Sequence, residues 1–526
     1  MEITDILPKQ QKAAVDSVLN GNNVIIKAGA GTGKTYTLVS AIEQDLSHNN
    51  GYQYIAAITY TVKATKEIKS RIKKARLDCE KLEICTNYDF IKKEIIFPFF
   101  KDTYSDNYPE SIISDYSRKI SSFEQGIELI KGEGIIGEYN NDIKKSYHYE
   151  LALSIIQKSL ACQRYIKAKY RRIYIDEYQD VSKEAHDFYE YLLKNLNIML
   201  FIVGDTKQTI FGFAGANKDY FDKFWENDSS MFTKFELTHN RRCSDGIQNY
   251  ANLLFDETLD LITPSKSSNN DVICIITNSN KNWAQIITPY IRDESSLALF
   301  RLKKIDCINS SLEFKKETGI SLVYIPSNPI SQFSSIFYNY FFSIGRLVFD
   351  NKYNEFCFYS DNLANIVKLN INITAIKYFI EQIKSNVNRK NEERSVNEIF
   401  KFGKYLGYFS NDLKYDDVKN VLHRLFSELI NPDNKYVFLE EKQNKVCQTI
   451  HTAKGLAYDH VIIFASDFDE DKKEIHYVSA TRARKKLFII FNPNSDKNYI
   501  KLMKSRLKKT NFKSRDLISS QYVTKI

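Results

Sequence analysis

The chain has 526 residues, 43% hydrophobic and 26% charged, which suits a globular protein of several domains and excludes a fibrous or disordered one. No apolar run approaches the roughly 20 residues a membrane helix needs, and Met1-Glu2-Ile3-Thr4-Asp5 has no leader character, so a cytoplasmic location with no membrane partner is expected. The net charge of +9 is uneven: residues 501–526 hold eight Lys or Arg against one acid, Asp516, a balance that suits nucleic acid or an acidic partner as well as the solvated face of a terminal helix.

The first chemically informative stretch is Val24-Ile25-Ile26-Lys27-Ala28-Gly29-Ala30-Gly31-Thr32-Gly33-Lys34-Thr35. Its apolar start predicts a buried parallel strand, and its glycines let backbone N–H groups curl around an anion at the start of a helix. Lys34 is expected to reach β- and γ-phosphates, and Thr35 to offer its hydroxyl to Mg²⁺. Ala28 stands where the general G-x-x-x-x-G-K-[ST] pattern has its first Gly, so an ordinary Gly-rich turn competes until the downstream clusters are added.

Further β-branched runs each end in a polar signature. Tyr54 to Ile58 ends in Thr59-Tyr60-Thr61, Arg172 to Ile175 in Asp176-Glu177, and Met199 to Val203 in Gly204-Asp205, while His460 to Phe464 follows a fourth polar cluster. Short apolar runs alternating with helical stretches predict an α/β fold whose parallel strands are covered on both faces, with the ligand at their carboxyl ends. Asp176 is expected to hold the hydrated Mg²⁺ and Glu177 to orient or deprotonate the attacking water, although two acids capping the next helix would look the same locally. Arg242 and Arg482 are the candidate cations for the departing γ-phosphate, and their distance from the loop in sequence assigns them to a second lobe. The eight cysteines are scattered singly without Cys-x-x-Cys, so reduced, structural thiols are expected.

The order of these clusters resembles the UvrD/Rep-like superfamily 1 helicases along nearly the whole chain. Leu7-Pro-Lys-Gln-Gln11 resembles their Q motif, in which Gln11 would read the adenine edge, and Ala28 through Thr35 is similar to their phosphate loop, where Ala in first position is usual. Ile58 to Ala64 resembles motif Ia, Thr86 to Phe90 motif Ib, Asp176 to Asp180 motif II and Val203 to Ala216 motif III. Leu237 to Arg242 resembles motif IV, Thr449 to Leu456, with Gly455, motif V, and Tyr477 to Ala483 motif VI. The resemblance implies two RecA-like lobes, each with a mostly helical insertion: lobe 1A at 1–90 and 166–235, insertion 1B at 91–165, lobe 2A at 236–328 and 441–526, and a short insertion 2B at 329–440. It also implies ATP between the lobes, touching Gln11, Ala28, Gly29, Ala30, Gly31, Thr32, Gly33, Lys34, Thr35, Arg242, Gly455 and Arg482, with Gln208 beside the γ-phosphate. Single-stranded DNA would cross the lobes, bases stacking on Tyr60 and Phe213 and the strand touching Thr59, Thr61, Lys63, Thr86, Tyr88 and His451. Buried strand ends that never touch DNA are the competing reading for Tyr60, Phe213, Thr59, Thr61, Thr86 and His451.

The chain departs from that pattern at Ala214, where an Arg is expected on the γ-phosphate, at Ala457, where a Glu is expected near the ribose, and at Tyr88, which replaces a His. The first puts rate in doubt and the second the choice of nucleotide, so other NTPs or dNTPs join ATP. In the first insertion, Lys92 to Lys101 with Asn107-Tyr-Pro109, then Leu151 to Leu160 leading to Tyr170, resemble the helicase-like subunits of Gabija anti-phage defence systems. That implies response to DNA ends and a hetero-oligomer with a GajA-like endonuclease carrying ATPase and Toprim domains. No carboxylate and lysine set beyond the helicase motifs suggests a nuclease here, so cleavage is expected in trans. A stand-alone repair helicase and a DNA-end-binding subunit with weak or no ATPase stay open as alternatives.

Overall fold

The computed structural model describes residues 8–49, 51–74, 80–104, 112–226, 231–263, 270–278, 282–291, 294–330, 335–363, 371–409, 415–439 and 443–522; within these spans a few side chains, that of Lys63 among them, also lie outside the description. Leu7, Cys79 and Asn107-Tyr108-Pro109, all used above, fall outside it as well.

The early strands are β1 (Val24–Ala28), β2 (Tyr54–Thr59), β3 (Leu82–Thr86), β4 (Ile113–Ile120), β5 (Ile135–Tyr139), β6 (Tyr170–Ile175), β7 (Met199–Gly204) and β8 (Thr233–Leu237). Six of them form one sheet in the order β3-β2-β6-β7-β1-β8, and every neighbouring pair is parallel. Alternation along each strand feeds two cores: Ile25, Ile58, Ile175 and Ile202 face one side, Val24, Ile26, Ala57 and Val203 the other. That is why these strands read as continuous apolar runs.

The later strands are β9 (Val272–Ile276), β10 (Leu297–Arg301), β11 (Val323–Tyr324), β12 (Lys445–Thr449), β13 (Tyr458–Phe464), β14 (Ala483–Phe491) and β15 (Ser519–Tyr522). They form a second parallel sheet, β11-β12-β10-β13-β14-β9-β15, again with a core on each face. The parallel pair β4 and β5, joined by the helix Phe123–Glu133, stands apart from both sheets. Between β11 and β12 lie the helices Ser335–Phe349, Glu355–Asn362, Ile373–Asn388, Glu392–Leu406 and Tyr415–Leu429, packed around Tyr340, Phe358, Phe402 and Leu425. The same core takes in Ile113 of β4 and Ile135 of β5, so these helices pack against the β4–β5 pair. The β4–β5 pair and the closing strand β15 carry no alternating apolar signal in the sequence and were not expected from it.

One buried ion pair ties helix to strand in the first sheet. Arg172 donates to Asp45 Oδ2 at 3.1 Å and to Val18 O at 3.1 Å, Tyr174 donates to the same carboxylate oxygen at 2.8 Å, and Arg171 closes on Asp45 from the other side. Asp45→Ala strands the Arg172 charge, 1% exposed, so we expect it to cost about 3–5 kcal/mol, seen as a lower urea midpoint. A loss below about 1 kcal/mol would show that water replaces the carboxylate.

Candidate nucleotide site and nucleic-acid face

The turn after β1 is held in the shape an anion requires. Gly31 and Gly33 have φ of +73° and +94°, and Gly33 caps the helix Lys34–Ser47. A Cβ on Gly31 would sit 2.3 Å from Asn240 Oδ1 and 2.7 Å from Arg242 Cβ, and one on Gly33 would sit 2.6 Å from Gln11 Nε2. The turn is therefore enclosed by the Q-motif residue on one side and by the segment after β8 on the other. Gln11 donates to Thr32 O at 3.0 Å, Ala30 N donates to the Tyr477 hydroxyl at 3.1 Å, and Arg241 N donates to Gly31 O at 2.9 Å. A cavity of about 320 Å³ beside the loop is lined by Gly29, Ala30, Thr32, Asn240, Tyr477 and Thr481.

The strand-end acids meet the loop. Thr35 Oγ1 lies 3.5 Å from Asp176 Oδ2, and Lys34 Nζ lies 3.5 Å from Glu177 Oε2. Glu177 adopts φ of +54°, in the left-handed region, and the Gln179 amide donates to its carboxylate. Burial, then the Glu177 charge, pushes Asp176 above the usual carboxylate range. Glu177 is desolvated too, but Lys34 and Lys454 outweigh that and hold it below the range, so it stays ionised at neutral pH. Two polar atoms, Lys34 Nζ and Gln11 Oε1, are buried without a hydrogen-bond partner. An orphaned ammonium beside two carboxylates and a hydroxyl fits a phosphate with a divalent cation, and an orphaned amide oxygen fits a base edge.

Residues from the second sheet complete this centre. Arg482, 1% exposed, donates to Gln208 Oε1 at 3.1 Å, while its other nitrogens are fixed by Val478 O at 3.0 Å and Leu456 O at 3.2 Å. Burial, then the charge of Arg242, lowers its pKa to about 10, which leaves it protonated at neutral pH. Gln208 in turn donates to Asp205 Oδ2 at 2.6 Å. Arg242 is half-buried against Gly31, and Gly455, with φ of +82°, makes the turn that presents Leu456 O to Arg482.

Six of the eight residues singled out for DNA gather on adjoining surfaces; Thr59 does not, and the Lys63 side chain lies outside the description. Phe213 is 58% exposed and its ring meets His451 edge-on at 5.5 Å, with Phe211 6.1 Å from each. Tyr60 and Tyr88 line a depression of about 80 Å³ with Lys144, Lys145, Ser146 and Ala214. Thr61 is exposed, and Thr86 caps the helix Asn87–Ile91 beside Tyr88. Thr59 is the exception: it is fully buried and its hydroxyl bonds Thr65 Oγ1 at 2.7 Å and Thr61 O at 3.1 Å, so it shapes the turn carrying Tyr60 instead of presenting a surface. Ala214, where a γ-phosphate arginine was looked for, lines this depression.

Sequence reasoning gave no role to the residue that links the two sites. Lys454 forms an ion pair with buried Asp180, donates to Gln208 O at 2.8 Å and lies 5.1 Å from the Phe211 ring centre. It thus touches the acid cluster after β6, the γ-phosphate candidate Gln208 and the aromatic face at once. Asp180 and Lys454 are 274 positions apart, and no spacing in either motif signals that they pair. Tyr477, clasping Ala30 across the sheets, was missed for the same reason.

Family signatures agree with this geometry. The AAA domain matches residues 11–214, and the UvrD-like helicase C-terminal domain matches residues 446–490. The fold and site define an enzyme of the UvrD-like, ATP-dependent helicase class. Gabija protein GajB of Bacillus cereus (strain VD045) is 32% identical over 93% of this chain and 97% of its own length. The chain belongs to the GajB family. The ATP-dependent DNA helicase Rep of Buchnera aphidicola (strain APS) is 24% identical over 91% of this chain and 94% of its own. The ATP-dependent DNA helicase PcrA of Staphylococcus epidermidis (strain RP62A) is 26% identical over 44% of this chain and 37% of its own. Among the described residues no helix is long and apolar enough to cross a membrane, and seven cysteines are free thiols.

Proposed function

We propose that the chain hydrolyses nucleoside triphosphates, ATP foremost, when single-stranded DNA or a DNA end engages it. It works as a 3′-to-5′ translocase or helicase in Gabija-type anti-phage defence, beside a GajA-like Toprim and ATPase endonuclease that makes the cut. The observation that carries this reading is the continuous contact from Phe211 through Lys454 to Gln208 and on to Arg482. It joins the aromatic face to the phosphate centre across both sheets, which fits a hydrolase set by DNA.

In this reading lobe 1A takes residues 1–90 and 166–235, lobe 2A takes 236–328 and 441–526, and the two insertions lie between. Gln11 holds the base edge, the backbone from Ala28 to Gly33 wraps the phosphates, and Lys34 and Arg242 carry charge to the β- and γ-phosphates. Thr35 and Asp176 hold Mg²⁺, which, when bound, neutralises charge on the phosphate oxygens. Glu177, kept ionised by Lys34 and Lys454, accepts the proton of the attacking water, and Gln208 orients that water. Arg482 meets the charge that builds on the leaving oxygen. Gly455 lets the chain turn beside the nucleotide with no side chain in the way.

Turnover of ATP, GTP and the dNTPs by the purified chain, with and without single-stranded or blunt-ended DNA, tests this directly. Stimulation by either DNA supports it, and no hydrolysis under any condition would leave the DNA-end-binding reading. Phe213→Ala is expected to weaken single-stranded DNA binding by about 1–3 kcal/mol at matched salt, the stacking contribution of one base. Unchanged affinity would make Phe213 a bystander. The partner is expected to dock on insertion 91–165, and replacing residues 92–109 should abolish co-purification with a GajA-like nuclease. Retained co-purification would move the docking site elsewhere.

A further inference from the structure

The helix Lys497–Leu507 divides its residues sharply between two faces. Tyr499, Leu502, Met503 and Arg506 are buried against the second sheet, and Arg506 is clamped between Asp256, at 2.6 Å, and Glu470. Lys509, just beyond the helix, is also neutralised, 2.7 Å from Asp256. The opposite face carries Lys497, Lys501, Lys504 and the C-cap Lys508, all exposed. Their spacing of four, three and four residues keeps them in one row, with a cation about every 5–6 Å over roughly 16 Å. Among the described residues no carboxylate pairs with Lys501, Lys504 or Lys508, and no acid lies between Lys497 and Arg515 in the sequence.

We propose that this row is a docking strip for the phosphate backbone of duplex DNA, separate from the Phe213–His451 face. A straight, regularly spaced line of lysines, three of them without a carboxylate partner among the described residues and Lys497 bonded only to Pro493 O at 2.9 Å, complements the regular phosphates of a rigid duplex, whose strands carry a charge every 3.4 Å of axis. A single strand is a poorer fit because its recognition needs aromatic platforms for the bases. Among the described residues after Ile430 no large hydrophobic or aromatic side chain is exposed. An acidic protein surface would satisfy the charge but offers no reason for the even spacing. The row would hold the duplex while its single-stranded extension occupies the aromatic face. This rests on the reading of the chain as a DNA-driven hydrolase, so the test reads that reaction separately.

The experiment uses the full chain and the variants K501Q/K504Q/K508Q and K501R/K504R/K508R. Affinity for a blunt duplex, a tailed duplex and a single strand is measured by fluorescence anisotropy over a range of NaCl, beside single-strand-stimulated ATP turnover and a thermal melt. With glutamines, the plot of log affinity against log salt for duplex should flatten by about 2.7, the share of three phosphate contacts, and low-salt affinity should fall roughly tenfold or more. The arginines should restore both, with single-strand affinity, turnover and melting temperature unchanged throughout. Unchanged duplex slope and affinity would return the row to a solvated face and overturn the proposal. Equal losses for single strand and duplex would overturn the duplex assignment, and loss of an acidic protein partner with DNA binding intact would overturn the choice of ligand. Failure of wild-type turnover with normal duplex binding would overturn the hydrolase reading alone.

Discussion

Lys34→Ala is expected to lower the turnover number by about 10²–10³ or more while the thermal melt stays near that of the wild type. The side chain is 10% exposed, its ammonium has no hydrogen-bond acceptor, and its nearest charge is Glu177 at 3.5 Å. It therefore contributes charge to a polar centre instead of packing into an apolar core, so the main effect of its loss is on charge. Glu177 loses one of the cations that hold it ionised but keeps the Gln179 amide and Lys454, which limits the structural effect. Turnover within a few-fold of wild type would remove Lys34 from the phosphates. A variant that melts far lower would show instead that the lysine holds the two acids together.

Arg482→Lys should lower turnover by about 10³, the lower range for an arginine that meets transferring phosphate, with nucleotide binding changed much less. Both side chains are cations, but the guanidinium spans Val478 O, Leu456 O, Thr481 Oγ1 and Gln208 Oε1 at once, which a single ammonium cannot do. The bond to Gln208 is the one that crosses between sheets, so a lysine leaves the two halves of the centre unlinked. The freed carbonyls add a stability cost of about 1–3 kcal/mol, which a fluorescent-nucleotide titration separates from the loss of rate. A turnover number within tenfold of wild type would make Arg482 a structural clasp.

The helicase motifs were legible because each is local: a strand, a turn and the side chains within a few residues of it. Lys34 and Thr35 follow directly from the loop, and Asp176 and Glu177 from the end of β6, because a parallel strand delivers its last residues to one edge of the sheet. Tyr60, Tyr88, Phe213 and His451 were found through resemblance, and the fold gathers them on adjoining surfaces. Thr59 shows the limit of that reasoning, since its motif position is the same whether its hydroxyl faces a ligand or Thr65. The pair β4 and β5 was not legible because its strands neither alternate nor run continuously apolar.

By itself the sequence determined the parallel α/β class, the Gly-rich loop after β1 and the acids placed to meet it, because backbone preference and burial act over a few neighbouring residues. Only the tertiary structure decided that Lys454 binds Asp180 and Gln208, that Tyr477 clasps Ala30, and that Arg506 is neutralised while Lys501, Lys504 and Lys508 meet no carboxylate among the described residues. These contacts join residues far apart in the chain. Their partners are fixed by how two sheets and their insertions pack, and a buried charge settles on whichever partner that packing brings within reach.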